Sequence, residues 1–125
     1  MIRLLGPNSA QHLWLPGRRI VGFRIVGDVD LSGANLAGLW FTGSSLHRAN
    51  LSGANLSNVI LSFAFLSYAD LSNANPSGAI VSATEFDYAN LSGADLSGVD
   101  LAPAIWYYTT CPDGSNSGES GSCSA

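Results

Sequence analysis

The sequence predicts an all-β solenoid, a quadrilateral β-helix of about four coils, on three observations. Large apolar residues recur at every fifth position from Val26 to Leu101, small residues recur two places before them, and Gly, Asn, Asp and Ser fill most of the gaps. The first series is Val26, Leu31, Leu36, Phe41, Leu46, Leu51, Leu56, Leu61, Leu66, Leu71, Pro76, Val81, Phe86, Leu91, Leu96 and Leu101, and fifteen of its sixteen members are large and apolar, Pro76 being the exception. The companion series from Val29 to Val99 holds nine alanines in fifteen positions. A period of five fits neither a continuous helix nor a continuous strand, so each unit must contain a short extended piece and a bend.

In such a unit one large and one small residue point to an interior, and three residues point out. If four bends close a square, twenty residues make one coil, and stacked coils pair their backbones at the usual strand separation of ~4.8 Å. Four coils then stand roughly 20 Å tall. A leucine from each side fills the centre, alanine lets the corners close, and Gly, Asn and Ser outside supply the turns.

These units, of the form A(D/N)LSG, resemble the pentapeptide-repeat family over roughly residues 26–105. The resemblance implies that the coil is a right-handed quadrilateral β-helix. It also brings in an activity known in that family, mimicry of DNA by an acidic rod that occupies the DNA site of a type II topoisomerase, associated with quinolone resistance. Mimicry wants a long rod with carboxylates spaced like phosphates, whereas this chain has few acids and its most distinctive surface is apolar, so that function stands as the alternative.

The ends of a solenoid expose backbone edges that invite association and need covers. Residues 1–25, with Trp14, Leu15, Ile20 and Phe23, are expected to form an N-terminal cap, residues 26–105 the repeat body, and residues 106–125 a C-terminal cap and loop. The tail TTCPDGSNSGESGSC has no apolar periodicity and holds the two cysteines, Cys111 and Cys123, which are expected to pair; it also looks like a Cys-Pro-Asp-Gly tail of some bacterial family members. A disulfide there favours an extracytoplasmic compartment, against the cytoplasm as the default expectation. No uninterrupted apolar stretch of signal-peptide length is visible, because Pro7, Asn8, Gln11 and His12 break up the N-terminus, and no run approaches a membrane span.

Composition narrows the function. At 46% hydrophobic and 11% charged residues the 125-residue chain is too apolar to be disordered. It carries a net charge of −4 with five arginines and lysines, and no basic stripe that would neutralise phosphates, so nucleic acid is not an expected partner.

With twenty residues per coil, positions twenty apart stack, and the outer columns can be written from the sequence. Just before the central residue, one face carries Asp30, Asn50, Asp70 and Asn90, and the next Asn35, Asn55, Asn75 and Asp95. The third carries Trp40, Ile60, Ile80 and Asp100, and the fourth Ser45, Phe65, Glu85 and Ile105. Two residues after the central one, the third face adds Gly43, Phe63 and Ala83, and the fourth Arg48, Tyr68, Tyr88 and Tyr108. Trp40, Ile60, Phe63, Phe65, Tyr68, Ile80 and Tyr88 therefore form one apolar patch on two adjacent faces, too large to be idle on a monomer. Its expected occupants are the chain's own N-terminal segment or tail, a second copy or a protein partner, with sugar or lipid contact through the aromatic rings as a lesser reading.

Catalysis needs polar groups converging in a concavity, and a filled rod with flat faces offers none. His47 is predicted outside beside Arg48, and the recurring Ser32, Ser52, Ser72 and Ser92 are turn residues without a base, so neither enzyme activity nor a cofactor is expected. Asp113, Ser115, Ser117 and Glu119 alternate like the oxygen ligands of a calcium loop, but without the later bidentate Glu of a helix-loop-helix calcium site, and are weak metal candidates.

Overall fold

A computed structural model describes residues 28–119 and 121–123; the N-terminal cap expected over residues 1–25 lies outside the described residues. Parallel bridges join residues twenty apart, Asp30 to Asn50 to Asp70 to Asn90 to Thr110 on one side, and Asn35 to Asn55 to Asn75, Trp40 to Ile60 to Ile80 and Ser45 to Phe65 to Glu85 to Ile105 on the others. Twenty residues therefore make one coil with four sides. The bridges are isolated: a turn in every five residues leaves one bridging residue per side, so the ladder is built without extended strands among the described residues.

A complete backbone account shows why five residues suffice, since buried donors must find acceptors. In the unit Leu51 to Asn55, Leu51 N–H donates to Asp70 O in the coil above, Gly53 N–H to Ser72 O in the same coil, and Asn55 N–H to Ala34 O in the coil below. Ala54 N–H closes the turn on Leu51 O. Only Ser52 N–H is left over, and the side-chain oxygen of Asn50 accepts it at 3.0 Å. The same local bond recurs where the side-chain oxygens of Asp30, Asn55, Asp70, Asn75, Asn90 and Asp95 accept from the backbone N–H two places on, which explains why Asx recurs just before the central residue.

The central and small series fill the interior as the period requires: Leu31, Leu36, Phe41, Leu46, Leu51, Leu56, Leu61, Leu66, Leu71 and Leu91 are all at or below 1% exposure. Each buried leucine contributes roughly 2 kcal/mol through removal of apolar surface from water. The register runs on through Trp106, whose ring stacks on Phe86 at 4.7 Å, and Cys111, both buried. Three small-series positions, Ser44, Thr84 and Thr109, carry buried hydroxyls, and Thr84 and Thr109 donate theirs to the carbonyls of Leu61 and Phe86 at 2.7 and 2.8 Å.

Two prolines interrupt the ladder. Pro76 keeps its turn, with Ala79 N–H on Pro76 O, but has no N–H to give Asp95, and the bridge column ends at Asn75. Pro103 occupies the turn position that is left-handed elsewhere, a conformation its ring forbids. Between residues 79–82 and 98–103 the coils lose their regular pairing, Ala83 N–H shifts to Pro103 O, and a recess of about 260 Å³ opens beside Ile80, Val81 and Asp100.

At the upper end Thr110 turns back on Asn116 in an antiparallel bridge, Gly93 N–H donates to Pro112 O, and Cys111 is joined to Cys123 with Cα atoms 5.2 Å apart. A ring of this size stabilises by on the order of 3 kcal/mol in the chain-entropy account. No helix among the described residues is long and apolar enough to cross a membrane.

Candidate interaction surface

The third residue of each turn, two after the central one, has positive φ on every side. Such a turn wants glycine or asparagine, because a Cβ meets the following carbonyl in left-handed backbone. On the first two faces the position is indeed Gly33, Gly53, Asn73 and Gly93, then Gly38, Asn58, Gly78 and Gly98. On the third face it becomes Phe63 and Ala83, and on the fourth Arg48, Tyr68, Tyr88 and Tyr108, at φ between 49° and 62°. A side chain there costs about 1 kcal/mol relative to glycine.

The Tyr column recovers part of this by stacking. Tyr68 and Tyr88 lie parallel with centroids 4.9 Å apart, Tyr88 and Tyr108 follow at 5.7 Å, and Tyr107 packs edge-on against Tyr88 and Tyr108. His47 meets Tyr68 edge-on at the lower end. Tyr108 donates its hydroxyl to Glu119, and this bond, ahead of burial, raises its pKa; burial and the neighbouring Tyr107, Tyr68 and Tyr108 raise that of Tyr88. Phe63 has no ring partner among the described residues and is the most exposed of the set at 63%.

The residues expected on the patch fall where the columns place them. Trp40, Phe63, Phe65, Tyr68, Ile80 and Tyr88 are exposed, Ile60 is half-buried, and Ile105, Tyr107 and Tyr108 extend the surface upward. At Trp40, Ile60, Ile80 and Phe65 the bridging residue is apolar, so the Asx bond of the other two faces is missing and the next backbone N–H gets no side-chain acceptor from it.

Acidic groups separate by face. Asp30 and Asp95, on the polar faces, are held below the ordinary carboxylate range by the hydroxyl and then the backbone N–H of Ser32 and Ser97. Asp87, on the fourth face between Ser67 and Tyr107 in register, has a sealed Oδ1 with no hydrogen-bond partner among the described residues, and burial raises its pKa. At the foot of the Tyr column Arg48 Nε pairs with Asp28 at 3.1 Å, beside a recess of about 440 Å³ lined by Asp28, Val29, Asp30, Arg48, Asn50 and Tyr68.

The tail oxygens are each taken up in local bonds. Asp113 closes a turn on the N–H and hydroxyl of Ser115, which lower its pKa, Ser117 Oγ accepts from Thr109 N–H, and Glu119 serves Tyr108. Among the described residues no group of three or more His, Cys, Asp or Glu is gathered that could hold a metal ion.

The sequence profile described as pentapeptide repeats (8 copies) matches residues 27–62 and 64–101. Among solved structures, HetL, a pentapeptide repeat protein involved in heterocyst differentiation regulation from the cyanobacterium Nostoc sp. strain PCC 7120, superposes with a TM-score of 0.69 and 32% identity, over 82% of this chain and 50% of its own. Trypsin-treated QnrB1, a plasmid-mediated fluoroquinolone resistance protein, superposes with a TM-score of 0.54 and 21% identity, over 74% of this chain and 56% of its own, a likeness of fold alone. The chain thus spans about half the length of these two proteins. No curated protein matches it in sequence.

Proposed function

Since the chain belongs to the pentapeptide-repeat family, we propose that it acts as a rigid, non-enzymatic interaction module of about four coils that presents the third and fourth faces to a protein partner or a second copy. The observation that carries this reading is the set of large side chains held outside a core that is already full, four of them on left-handed backbone where glycine would be easier. Strain of this kind at Phe63, Tyr68, Tyr88 and Tyr108 is maintained against stability, which is what a binding surface requires.

DNA mimicry fits less well. In the column Asp30, Asn50, Asp70, Asn90 every second group is a neutral amide, and the Oδ1 atoms of its aspartates are bonded to their own turns.

The test is the double variant Phe63→Gly with Ile80→Asn, which installs on the third face the residue types that the other faces use. Light scattering on the full chain should show loss of self-association, or a labelled partner should no longer be retained, while the denaturant midpoint stays or rises. Unchanged association and unchanged capture would overturn the reading.

A further inference from the structure

The seam on the third face leaves backbone groups unmet that the coil beneath pairs. There Leu61 N–H donates to Ile80 O at 2.8 Å and Ile80 N–H to Val59 O at 2.9 Å. One coil higher the equivalent bonds, Val81 N–H to Asp100 O and Asp100 N–H to Ala79 O, are not made among the described residues, and the bridge column stops at Ile80. Val81 and Ala79 are nevertheless buried, at 3% and 4% exposure. A buried donor and a buried acceptor thus stand two residues apart on one edge, and such groups need a partner.

The recess of about 260 Å³ lies over this edge. It is bounded on one side by Gly78 N–H on Ser97 O at 2.9 Å, and on the other by Ala83 N–H on Pro103 O and Ile105 N–H on Thr84 O, both at 2.8 Å. Pairing on both sides leaves no path for a strand to run through, so an occupant enters from outside, past the exposed Ile80. The volume is several times the ~30 Å³ share of one liquid water, which admits a small polar group with its methylene stem.

The donor and acceptor side by side select that group. A guanidinium or an ammonium only donates, and leaves Val81 N–H unmet. A carboxylate only accepts, leaves Ala79 O unmet, and meets the carboxylate of Asp100 in the same recess. A primary carboxamide carries an acceptor and two donors on one flat group, and so supplies what the peptide of the upper coil supplies elsewhere on this face.

We propose that the seam is a binding site for a primary carboxamide, the side chain of an asparagine or glutamine on a protein that docks on the third face. Its oxygen accepts from Val81 N–H, and its nitrogen donates to Ala79 O and to the Asp100 carboxylate. The identity of the occupant as a partner's side chain rests on the reading of the third face as an interaction surface; the preference of the recess for an amide does not.

Propionamide, which has the shape of the end of a glutamine side chain, is the probe, titrated into the ¹⁵N-labelled full-length protein. A group of this size is expected to bind with a Kd on the order of 1 mM or weaker. Amide spectra should show saturable shifts at Val81 and Asp100, with Leu61, whose bond is made, unmoved. Propionate, of the same shape without the donors, should shift neither. No saturable shift at Val81, or an equal response to propionate, overturns the proposal. Pro103→Gly gives the turn above the seam a residue that accepts left-handed backbone, so that the upper coil can pair, and should weaken propionamide binding about tenfold or more. Unchanged affinity in this variant overturns the seam as the site. The titration needs no partner, so it reads the recess even where Phe63→Gly with Ile80→Asn leaves partner capture unchanged. The interface reading in turn stands on that variant even where propionamide does not bind.

Discussion

The two polar faces and the two aromatic faces are made from one backbone plan and differ in how each closes it. On the polar faces Asx before the central residue caps the one N–H that the ladder leaves over, and Gly or Asn takes the left-handed turn position. On the aromatic faces both devices are given up: Trp40, Ile60, Ile80 and Phe65 stand where Asx would cap, and Phe63, Tyr68, Tyr88 and Tyr108 stand where Gly would relax the turn. The fold needs the first pair of faces to be cheap in free energy, and it tolerates the second pair because the core beneath is the same. In this molecule stability and surface identity therefore reside on different sides of one rod.

The largest effect should come from disturbing a polar-face turn. At Gly93, φ is +72° and an added Cβ would lie 2.3 Å from Asn73 Oδ1, so Gly93→Ala combines left-handed strain with displacement of the asparagine below. A loss of about 2 kcal/mol is expected in a denaturant melt. Gly53→Ala, with nothing within 4 Å, should lose only about half as much. Equal losses would show that neighbouring turns do not communicate. Next comes Asn50→Ala, which strips Ser52 N–H of its acceptor and should lose about 1 kcal/mol. The converse change, Ile60→Asn, supplies the missing cap on the third face and should stabilise the monomer or leave it unchanged; a loss as large as that of Asn50→Ala would mean that Ile60 is held by packing.

Phe63→Gly and Tyr88→Gly make the same chemical change on the two aromatic faces and should differ in sign. Both relieve a left-handed side chain, by about 1 kcal/mol. Phe63 has no ring contact to lose, so its replacement should stabilise. Tyr88 sits between Tyr68 and Tyr108 with Tyr107 against its edge, and contacts worth about 0.5–1.5 kcal/mol each go with it, so its replacement should destabilise slightly. Thermal unfolding of the two variants reads the sign directly, and stabilisation in both would mean that the stacked column contributes nothing to the fold.

Much of this was legible in the sequence because the period of five is so regular. Leu61 and Ala64 announce their burial, and once a coil is taken as twenty residues, Tyr68 must stand under Tyr88. The role of Asn50 and Asp70 was not legible. Their alternation reads as a way to keep acids from stacking, and only the hydrogen-bond account shows that Ser52 and Ser72 N–H are the donors left without a carbonyl. Trp106 and Cys111 continue the fivefold register, but Trp and Cys do not look like the leucines before them, and Pro103 hides the continuity. The unpaired seam beside Ile80 follows from Pro103 at a left-handed position, a requirement visible only after the turn geometry is known.

The smallest predicted effect contrasts the acids of the two regions. Asp30 and Asp95 have depressed pKa values in the folded chain, so their bonds to Ser32 and Ser97 add stability above the unfolded value near 3.8 and lose it as the pH falls through the lower folded value. Asp87 works in the opposite sense. Its folded pKa is raised by burial, so ionisation opposes folding at neutral pH, and that penalty fades as the pH falls through the raised value toward and below 3.8. Asp87→Asn should therefore stabilise the protein by a few tenths of a kcal/mol at pH 7. Its advantage over the parent should shrink on acidification, whereas Asp95→Asn should show no gain at neutral pH. Urea midpoints of the three proteins between pH 7 and pH 3 test this, and an advantage of Asp87→Asn that is constant across the range would assign its effect to packing against Tyr107 instead of to charge.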